Sequence, residues 1–491
     1  MIPRRRFLAA AAAAAASGCL RGPATDASVL VNDIHSGLNA TRVARVVRPA
    51  SVEGLAAAVR DAASEGRALC IAGGRHAMGG QQFAAGGVLV DMGGMRRVIV
   101  FDPDRGHVDV EAGIQWPELV DHLLAVQRGG PRQWGIVQKQ TGADRLSIGG
   151  ALAANVHGRG LTMRPMVGDV ESFTLVGPDG VVRRCSRTEN PELFALAIGG
   201  YGLVGIIATV RLRLARRRKL ERVVQVIEAA GLAAAFERRI AEGFAFGDFQ
   251  YATDPATDLL RRGVFSCYRP LDDSAAMPEA QPELAQADWE RLLLLSHADK
   301  RRAFELYAGY YLATSGQRYW SDTHQMGVYI DGYHRDLDRQ LGAAVPGSEM
   351  ITELYVPRPR LGAFFEAVRG DVVRESMAVI YGTVRLIARD PEAVLTWARE
   401  DWACVIVNLH VDHSPAGLEK AARDFRRLID RALEQGGSYF LTYHRWAERR
   451  QVEQAHPRLV EFLRAKRRLD PQERFQSEWY RHHRAMLLDR L

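Results

Sequence analysis

A glycine-rich loop reads Ile71-Ala72-Gly73-Gly74-Arg75-His76-Ala77-Met78-Gly79-Gly80-Gln81 and sets the architecture of this 491-residue chain. Glycine permits backbone angles closed to other residues, and it lets main-chain amides approach an anion without an intervening Cβ. The short apolar run before the loop predicts a buried strand that leads into it. His76 would place a nucleophilic ring nitrogen beside this anion site. The loop therefore predicts a dinucleotide held by backbone amides, with a side chain poised to react with it.

A second glycine-containing segment follows in the same β-rich half. It reads Thr141-Gly142-Ala143-Asp144-Arg145-Leu146-Ser147-Ile148-Gly149-Gly150-Ala151-Leu152-Ala153-Ala154-Asn155-Val156-His157-Gly158. We expect the two segments to hold the same diphosphate from two tight bends.

Composition is that of an ordinary globular protein, with 47% hydrophobic and 25% charged residues. The length predicts two or three domains. The net charge is +7, but the sequence contains no basic stripe interleaved with aromatic residues, so we expect no nucleic-acid partner. The densest basic run, Arg216-Arg217-Arg218-Lys219, is interpreted as an exposed domain boundary.

The N-terminal residues 1–27 have the pattern of an export signal. Arg4-Arg5-Arg6-Phe7-Leu8 precedes an alanine-rich run, which resembles a twin-arginine signal and predicts a periplasmic location. Ala16-Ser17-Gly18-Cys19 also resembles a lipoprotein cleavage box, so lipidated Cys19 would tether the chain to a membrane. The alternative is an uncleaved tail.

The remaining cysteines are widely spaced and predict no metal site: Cys70, Cys185, Cys267 and Cys404.

The order of predicted elements indicates an α+β fold. A helix from Ser51 to Ala63 and several hairpins predict one unit over about 42–214. From about 220 onwards, a long helix over 285–306 and strands around Glu353, Arg385 and His410 predict a mixed or antiparallel sheet covered by helices.

These segments resemble the FAD flavoproteins of the vanillyl-alcohol-oxidase or p-cresol-methylhydroxylase family. Gly199-Gly200-Tyr201-Gly202-Leu203-Val204-Gly205-Ile206 and the tail Asp470-Pro471-Gln472-Glu473-Arg474-Phe475 carry the resemblance further. It implies a PCMH-type FAD-binding domain over 42–214, an α+β substrate (cap) domain over 215–440, and a C-terminal segment, 441–485, that returns to the FAD domain.

The resemblance also implies which residues hold FAD. They are Gly73, Gly74, Arg75, His76, Ala77, Met78, Thr141, Gly142, Ser147, Gly149, Gly150, Ala153, Asn155, His157, Gly205 and Ile206.

Two branches of the family are similar to this chain. The loop around His76 resembles that of the alditol, aldonolactone and cytokinin oxidoreductases, in which a histidine bonds the flavin, so we expect a covalent link through His76. The stretch from Tyr381 to His410 is more similar to the branch of sterol 24-reductase and decaprenylphosphoryl-ribose oxidase. By this resemblance, Ala143 stands where bicovalent members carry cysteine. Val156 stands where the size of the residue is expected to govern oxygen access, and valine there favours a dehydrogenase over an oxidase.

Oxidation of an alcohol requires a proton acceptor within about 3 Å of the hydroxyl oxygen. The candidates for catalysis are Glu353, Arg385, His410, Tyr443 and His444. Glu353 is either in the site or an outward-facing solvated residue; Arg385 lines the site or pairs with a carboxylate; His410 lies in the site or at its rim. The sequence does not decide whether Tyr443 or His444 points inward.

The sequence thus predicts an FAD-dependent oxidoreductase that oxidises a hydroxylated small molecule, such as a sugar, polyol or lactone, by hydride transfer to flavin N5. Its electron acceptor is left open. The alternatives are an FAD-dependent reductase of a carbon–carbon double bond in a lipid or sterol, and a flavin-binding redox module without turnover.

Overall fold

The computed structural model describes residues 28–140, 142–327, 330 and 332–491. The predicted export signal with Cys19, and the predicted FAD contact at Thr141, lie outside the described residues. Among the described helices, none combines the length and the apolar character needed to cross a bilayer.

The N-terminal domain is built on two main sheets and a short antiparallel pair, β1-β2. A small parallel sheet has the order β3-β5-β4, and a larger antiparallel sheet has the order β10-β9-β11-β7-β6, with β8 paired to β11. The elements are β1 (Val29–Val31), β2 (Thr41–Val43), β3 (Arg45–Val47), α1 (Val52–Ser64), β4 (Leu69–Ala72), β5 (Val88–Asp91), β6 (Val98–Asp102), β7 (His107–Glu111), α2 (Trp116–Val126), β8 (Trp134–Ile136), α3 (Ile148–Ala154), β9 (Val170–Val176), β10 (Val182–Ser186), α4 (Pro191–Ala197) and β11 (Ile206–Arg216).

The first predicted helix and strand are confirmed and position the glycine loop. The Ser51 side chain caps α1 by accepting from the Gly54 amide at 3.1 Å. β4 then ends at Ala72, directly before Gly73. Because β4 pairs in parallel with β5, the loop that follows is fixed at the carboxyl edge of that sheet.

The second domain is a single antiparallel sheet of eight strands in the order β15-β12-β14-β13-β17-β18-β16-β19. Helices α9 and α10 pack on one face, and α6 to α8 lie over part of the other. The elements are β12 (Lys219–Glu228), α5 (Leu232–Ala241), β13 (Phe246–Tyr251), β14 (Arg262–Pro270), α6 (Gln286–Ala298), α7 (Lys300–Ala313), β15 (Arg318–Trp320), α8 (His334–Leu341), β16 (Gly347–Pro357), α9 (Leu361–Arg374), β17 (Val379–Ile387), β18 (Trp402–Asp412), α10 (Pro415–Glu434) and β19 (Ser438–Tyr439). The α+β fold with an antiparallel second sheet confirms the predicted fold class.

The helix predicted over 285–306 is wrong as a single element. Asp299 leaves helical geometry (φ −151°, ψ 82°), and its side chain accepts from the Arg302 amide at 3.0 Å, which ends α6 and starts α7. A good N-cap residue inside a helical pattern therefore outweighed the periodicity on either side of it.

The C-terminal segment contains α11 (Arg449–Ala455), α12 (Leu459–Leu469) and α13 (Glu478–Met486). After α12 the chain runs beside β4: the Leu69 amide donates to the Arg474 carbonyl at 2.6 Å, and the Gln476 amide donates to the Leu69 carbonyl at 2.8 Å. The chain end therefore lies against the strand that carries the glycine loop.

Candidate active site and cofactor site

The two glycine segments converge on one cavity in the N-terminal domain. A side chain at Gly73 would place its Cβ only 1.9 Å from Ser147 Oγ, so the loops can meet only because residue 73 is glycine. The cavity is lined by small and apolar residues and one tyrosine: Ile71, Gly73, Met92, Ala112, Ser147, Gly149, Gly150, Ala153, Tyr201, Gly202, Gly205 and Ile207.

The first loop has the backbone form of an anion-binding nest. Arg75 adopts φ +59°, which non-glycine residues rarely do. The amides of Gly74, Arg75 and Ala77 make no hydrogen bond within the part of the chain that the structure describes. Successive amides left open beside a left-handed residue form a concavity that binds phosphate oxygens, so these residues suit the diphosphate of a dinucleotide.

His76 is held in a neutral form beside this loop. Its Nδ1 lies 2.7 Å from Nε2 of His35, and its ring packs within 2.8 Å of where a Gly74 Cβ would stand. Burial, and then the neighbouring His35, lower the pKa of His76 to about 3. A neutral imidazole is the nucleophilic form. His35 is half-buried and contacts the His76 ring.

Glu353 lies on β16, fully buried, at the contact between the two domains. Its Oε2 is 3.0 Å from Nε2 of His157 and accepts from the Tyr355 hydroxyl at 2.8 Å. Its Oε1 accepts from the Tyr443 hydroxyl at 2.7 Å and lies 3.4 Å from the Gln140 amide nitrogen. The alternative of a solvated Glu353 is therefore excluded.

Glu353 is a carboxylate despite its burial. Burial alone would raise the pKa of Glu353, but the interaction with His157 and the hydrogen bonds from Tyr443 and Tyr355 outweigh it and hold the pKa below its usual value. His157 also places Nδ1 2.9 Å from the Gly158 carbonyl. Both ring nitrogens of His157 thus face oxygen atoms.

Tyr443, and not His444, points toward Glu353. His444 lies on the other side, with its ring 4.6 Å from that of Phe425 and its Nε2 3.5 Å from Thr352 Oγ1. Burial lowers the pKa of His444 to about 3, so it is a neutral core residue.

Arg385 lies on β17, two register positions from Glu353 and on the same sheet face, and it is 4% exposed. Its Nε and Nη1 have no hydrogen-bond partner among the described residues, and neither have Thr383 Oγ1, Ser266 Oγ and Asn408 Oδ1 on the same sheet face. Buried polar atoms are normally satisfied, because leaving them unpaired costs about 1–3 kcal/mol each. These unpaired atoms are therefore the polar groups that this face of the sheet could offer to a ligand.

His410 lies apart from the Glu353 group. It is on the same sheet face but opposite Glu349, four residues before Glu353 on β16, and its Nδ1 is 3.5 Å from Glu349 Oε1. The structure therefore brings Glu353, Tyr443 and Arg385 to one area and places His410 in another.

A family model described as "FAD binding domain" matches residues 43–186. That range contains both glycine segments that line the cavity. The N-terminal part of the chain is an FAD-binding domain of the PCMH type.

Curated proteins similar to the chain are oxidoreductases by name. Cytokinin dehydrogenase 4 of Oryza sativa subsp. japonica is 35% identical over 38% of this chain and 35% of its own length. Cytokinin dehydrogenase 1 of the same plant is 32% identical over 60% of this chain and 54% of its own length. L-gulonolactone oxidase of Mus musculus is 30% identical over 26% of this chain and 27% of its own length. The chain thus spans between about a quarter and about half of these relatives.

Two groups can be distinguished among the residues predicted to hold FAD. Gly73, Ser147, Gly149, Gly150, Ala153 and Gly205 line the cavity. Asn155 and His157 instead join the domains: the Asn155 amide donates to Asp390 Oδ2 at 2.9 Å, and the Asn155 carbonyl accepts from the Trp397 indole at 3.1 Å.

Several residues near the FAD-binding domain were not singled out from the sequence. Tyr355 and Gln140 contact Glu353, and Cys404 Sγ lies 3.7 Å from His157 Nε2. The alternation along β16 puts Tyr355 on the same face as Glu353, which was a readable signal. For Gln140 and Cys404 the partner is more than 200 residues away in the chain, and no local pattern indicates it.

Proposed function

We propose that the protein is an FAD-dependent oxidoreductase that oxidises a hydroxylated small molecule, such as a sugar, polyol or lactone. The observation that carries this is the buried Glu353 carboxylate, hydrogen-bonded by His157 of the FAD-binding domain beside a sheet face with unpaired polar atoms. FAD, when bound, supplies the two-electron acceptor. The names of the relatives, which include an oxidase of a sugar lactone, support the oxidative direction.

We propose that Glu353 Oε1 accepts the proton of the substrate hydroxyl. Its contact with Gln140 is long at 3.4 Å, and the Gln140 amide also donates to the Tyr443 hydroxyl at 3.0 Å. A substrate hydroxyl can therefore take the place of Gln140 at Oε1, while Tyr443 stays hydrogen-bonded to the same oxygen and orients it.

Arg385 is the group we assign to substrate binding. Its unpaired Nε and Nη1 present a rigid pair of donors to ring or carbonyl oxygens of the substrate. The exclusion of water from this face strengthens each such hydrogen bond.

The test is a substrate panel with an artificial dye as the electron acceptor. The panel should contain polyols, aldoses, sugar lactones and cytokinins, because the relatives are named for the last two groups. We expect dye reduction with at least one hydroxylated member. A protein that carries FAD but reduces the dye with none of them, while it oxidises a nicotinamide donor with an unsaturated lipid, would be a double-bond reductase instead.

We also propose that the flavin is bonded to His76. The neutral, buried imidazole beside the glycine nest supports this. Acid precipitation of the wild-type protein should leave the yellow colour in the pellet, and His76→Ala should release it into the supernatant. His122→Ala, on α2, is the control and should keep the colour in the pellet; colour in the supernatant of the wild type would reject the link.

A further inference from the structure

A second buried cluster lies on the same sheet face, about four residues along β16 from Glu353. It surrounds Glu349, whose side chain is 3% exposed. Three histidines from three different elements contact this carboxylate: His297 of α6, His334 at the start of α8, and His410 of β18.

The donor atoms of this cluster converge on a common point. His297 Nε2, His410 Nδ1 and a Glu349 oxygen all lie within 4.8 Å of one another. Oε1 of Glu349 is 3.0 Å from His297 and 3.5 Å from His410. Ligand atoms of a tetrahedral site with bonds of about 2.0–2.2 Å lie roughly 3.3–3.6 Å apart, so these spacings fit a metal ion between them.

His297 contributes a buried ring nitrogen to this cluster. Its side chain is 7% exposed, and its Nε2 lies 3.0 Å from Glu349 Oε1. An imidazole nitrogen at this position can coordinate a metal ion that the same carboxylate binds.

Outer contacts hold the ligands in place. His410 Nε2, the nitrogen that faces away from Glu349, lies 3.4 Å from Asp412 Oδ1. Metal-bound histidines commonly carry such a carboxylate on the second nitrogen. The His410 ring also packs on Gly347, where a Cβ would come within 2.3 Å of Cε1, so glycine at 347 leaves room for the ring.

We propose that His297, His410 and Glu349 bind a divalent first-row transition-metal ion, with His334 against the second carboxylate oxygen. Two imidazoles and one carboxylate form a ligand set suited to Zn²⁺ and its neighbours. The ion would join α6 to β16 and β18. The proposal is independent of the substrate reaction at Glu353.

The test uses full-length protein purified without a histidine tag, stripped with EDTA, reloaded with ZnCl₂ and desalted. We expect one Zn²⁺ per chain by elemental analysis, and X-ray absorption with only nitrogen and oxygen neighbours. His297→Ala and His410→Ala should each lose the ion, and His122→Ala should keep it. Asp412→Asn, which preserves side-chain size, should weaken Zn²⁺ binding about 10–100-fold in competition with a zinc indicator.

The absorption spectrum separates this site from the other group that could bind a metal. His157, Glu353 and Cys404 also lie close together, but zinc there would show a sulfur neighbour at about 2.3 Å, and Cys404→Ser would remove it. A wild-type protein that retains no zinc, a sulfur neighbour in the spectrum, or equal zinc in the wild type and both histidine variants overturns the proposal. If the alanine variants fail to retain FAD, the proposal is decided by the zinc affinity of Asp412→Asn together with the X-ray absorption spectrum of the wild type.

Discussion

At the scale of single residues, the proposed reaction depends on the Glu353 carboxylate, which has four surrounding donors. The sequence identified Glu353 because a charged residue in a β-pattern is unusual, and resemblance pointed to the same place. It could not supply His157 and Tyr443 as its partners, because they lie 196 and 90 residues away in the chain. Chemistry that is assembled by tertiary contacts is visible in a sequence only as isolated polar residues.

We expect Glu353→Gln to lower the rate of substrate oxidation about 10²–10⁴-fold, because the amide cannot accept the proton. Dye-coupled kcat with the substrate found in the panel is the measurement. Glu221→Gln, on β12 and on the other face of the sheet, is the matched control and should retain the wild-type rate. A Glu353→Gln protein with normal FAD content and a normal rate would rule out this assignment.

Glu353 also determines the pH dependence that we expect for the rate of the proposed reaction. Since the pKa of Glu353 is held below its usual value, the base is present above that pKa and lost only as pH falls through it. The kcat profile should therefore show no loss from Glu353 between pH 8 and about pH 5. A steep decline with a midpoint near pH 6 would show that another group controls the proton.

At the scale of secondary elements, an N-cap that lies inside a helical pattern was harder to predict than the pattern itself. The pattern over 285–306 reads as one helix, but Asp299 can satisfy the free amides of a new helix better than it can continue the old one. The first residues of strand β16, Gly347 to Met350, carry no β-branched side chain, so no β-pattern marks where this strand begins.

Asp299→Ala should destabilise α7 by about 0.5–2 kcal/mol, because the Arg302 amide loses its acceptor. Hydrogen exchange of peptides from Lys300–Ala313 is the measurement, and faster exchange is expected there. Asp299→Asn keeps a side-chain oxygen and should exchange like the wild type. Equal protection in all three proteins would mean that packing alone holds α7.

At the scale of the whole molecule, the chain end supports the cofactor loop. The Met78 and Gly79 amides donate to the Thr442 carbonyl at 3.2 and 3.0 Å, and the strand-like run at Phe475 pairs with β4. The resemblance predicted the two-domain order and the return of the C-terminal segment. The contact of α6 and α8 with β16 was not, because no sequence pattern indicates which helix covers which sheet face.

Asp470 is the residue that fixes this return. It pairs with Lys466, both fully buried, and also accepts from the amides of Arg474 and Phe475 at 2.9 Å. Asp470→Ala should destabilise the protein by about 3–5 kcal/mol, because it leaves a buried ammonium unpaired and two amides without acceptors. Lys466→Met should cost less, since Asp470 keeps both amide donors.

Thermal unfolding, followed by flavin fluorescence, measures the relative stabilities of these two variants. We expect a lower midpoint for Asp470→Ala than for Lys466→Met, with both below the wild type. The reverse order would mean that the lysine, and not the two amides, gives Asp470 its importance.

The buried contact between His157 and Glu353 has a consequence for how a substrate would enter the proposed site. Moving the second domain away from the FAD-binding domain would break this contact, and it would also break the hydrogen bonds that Asn155 makes to Asp390 and Trp397. Repeated opening of the two domains is therefore disfavoured. We expect substrate and product to exchange while the two domains remain in contact.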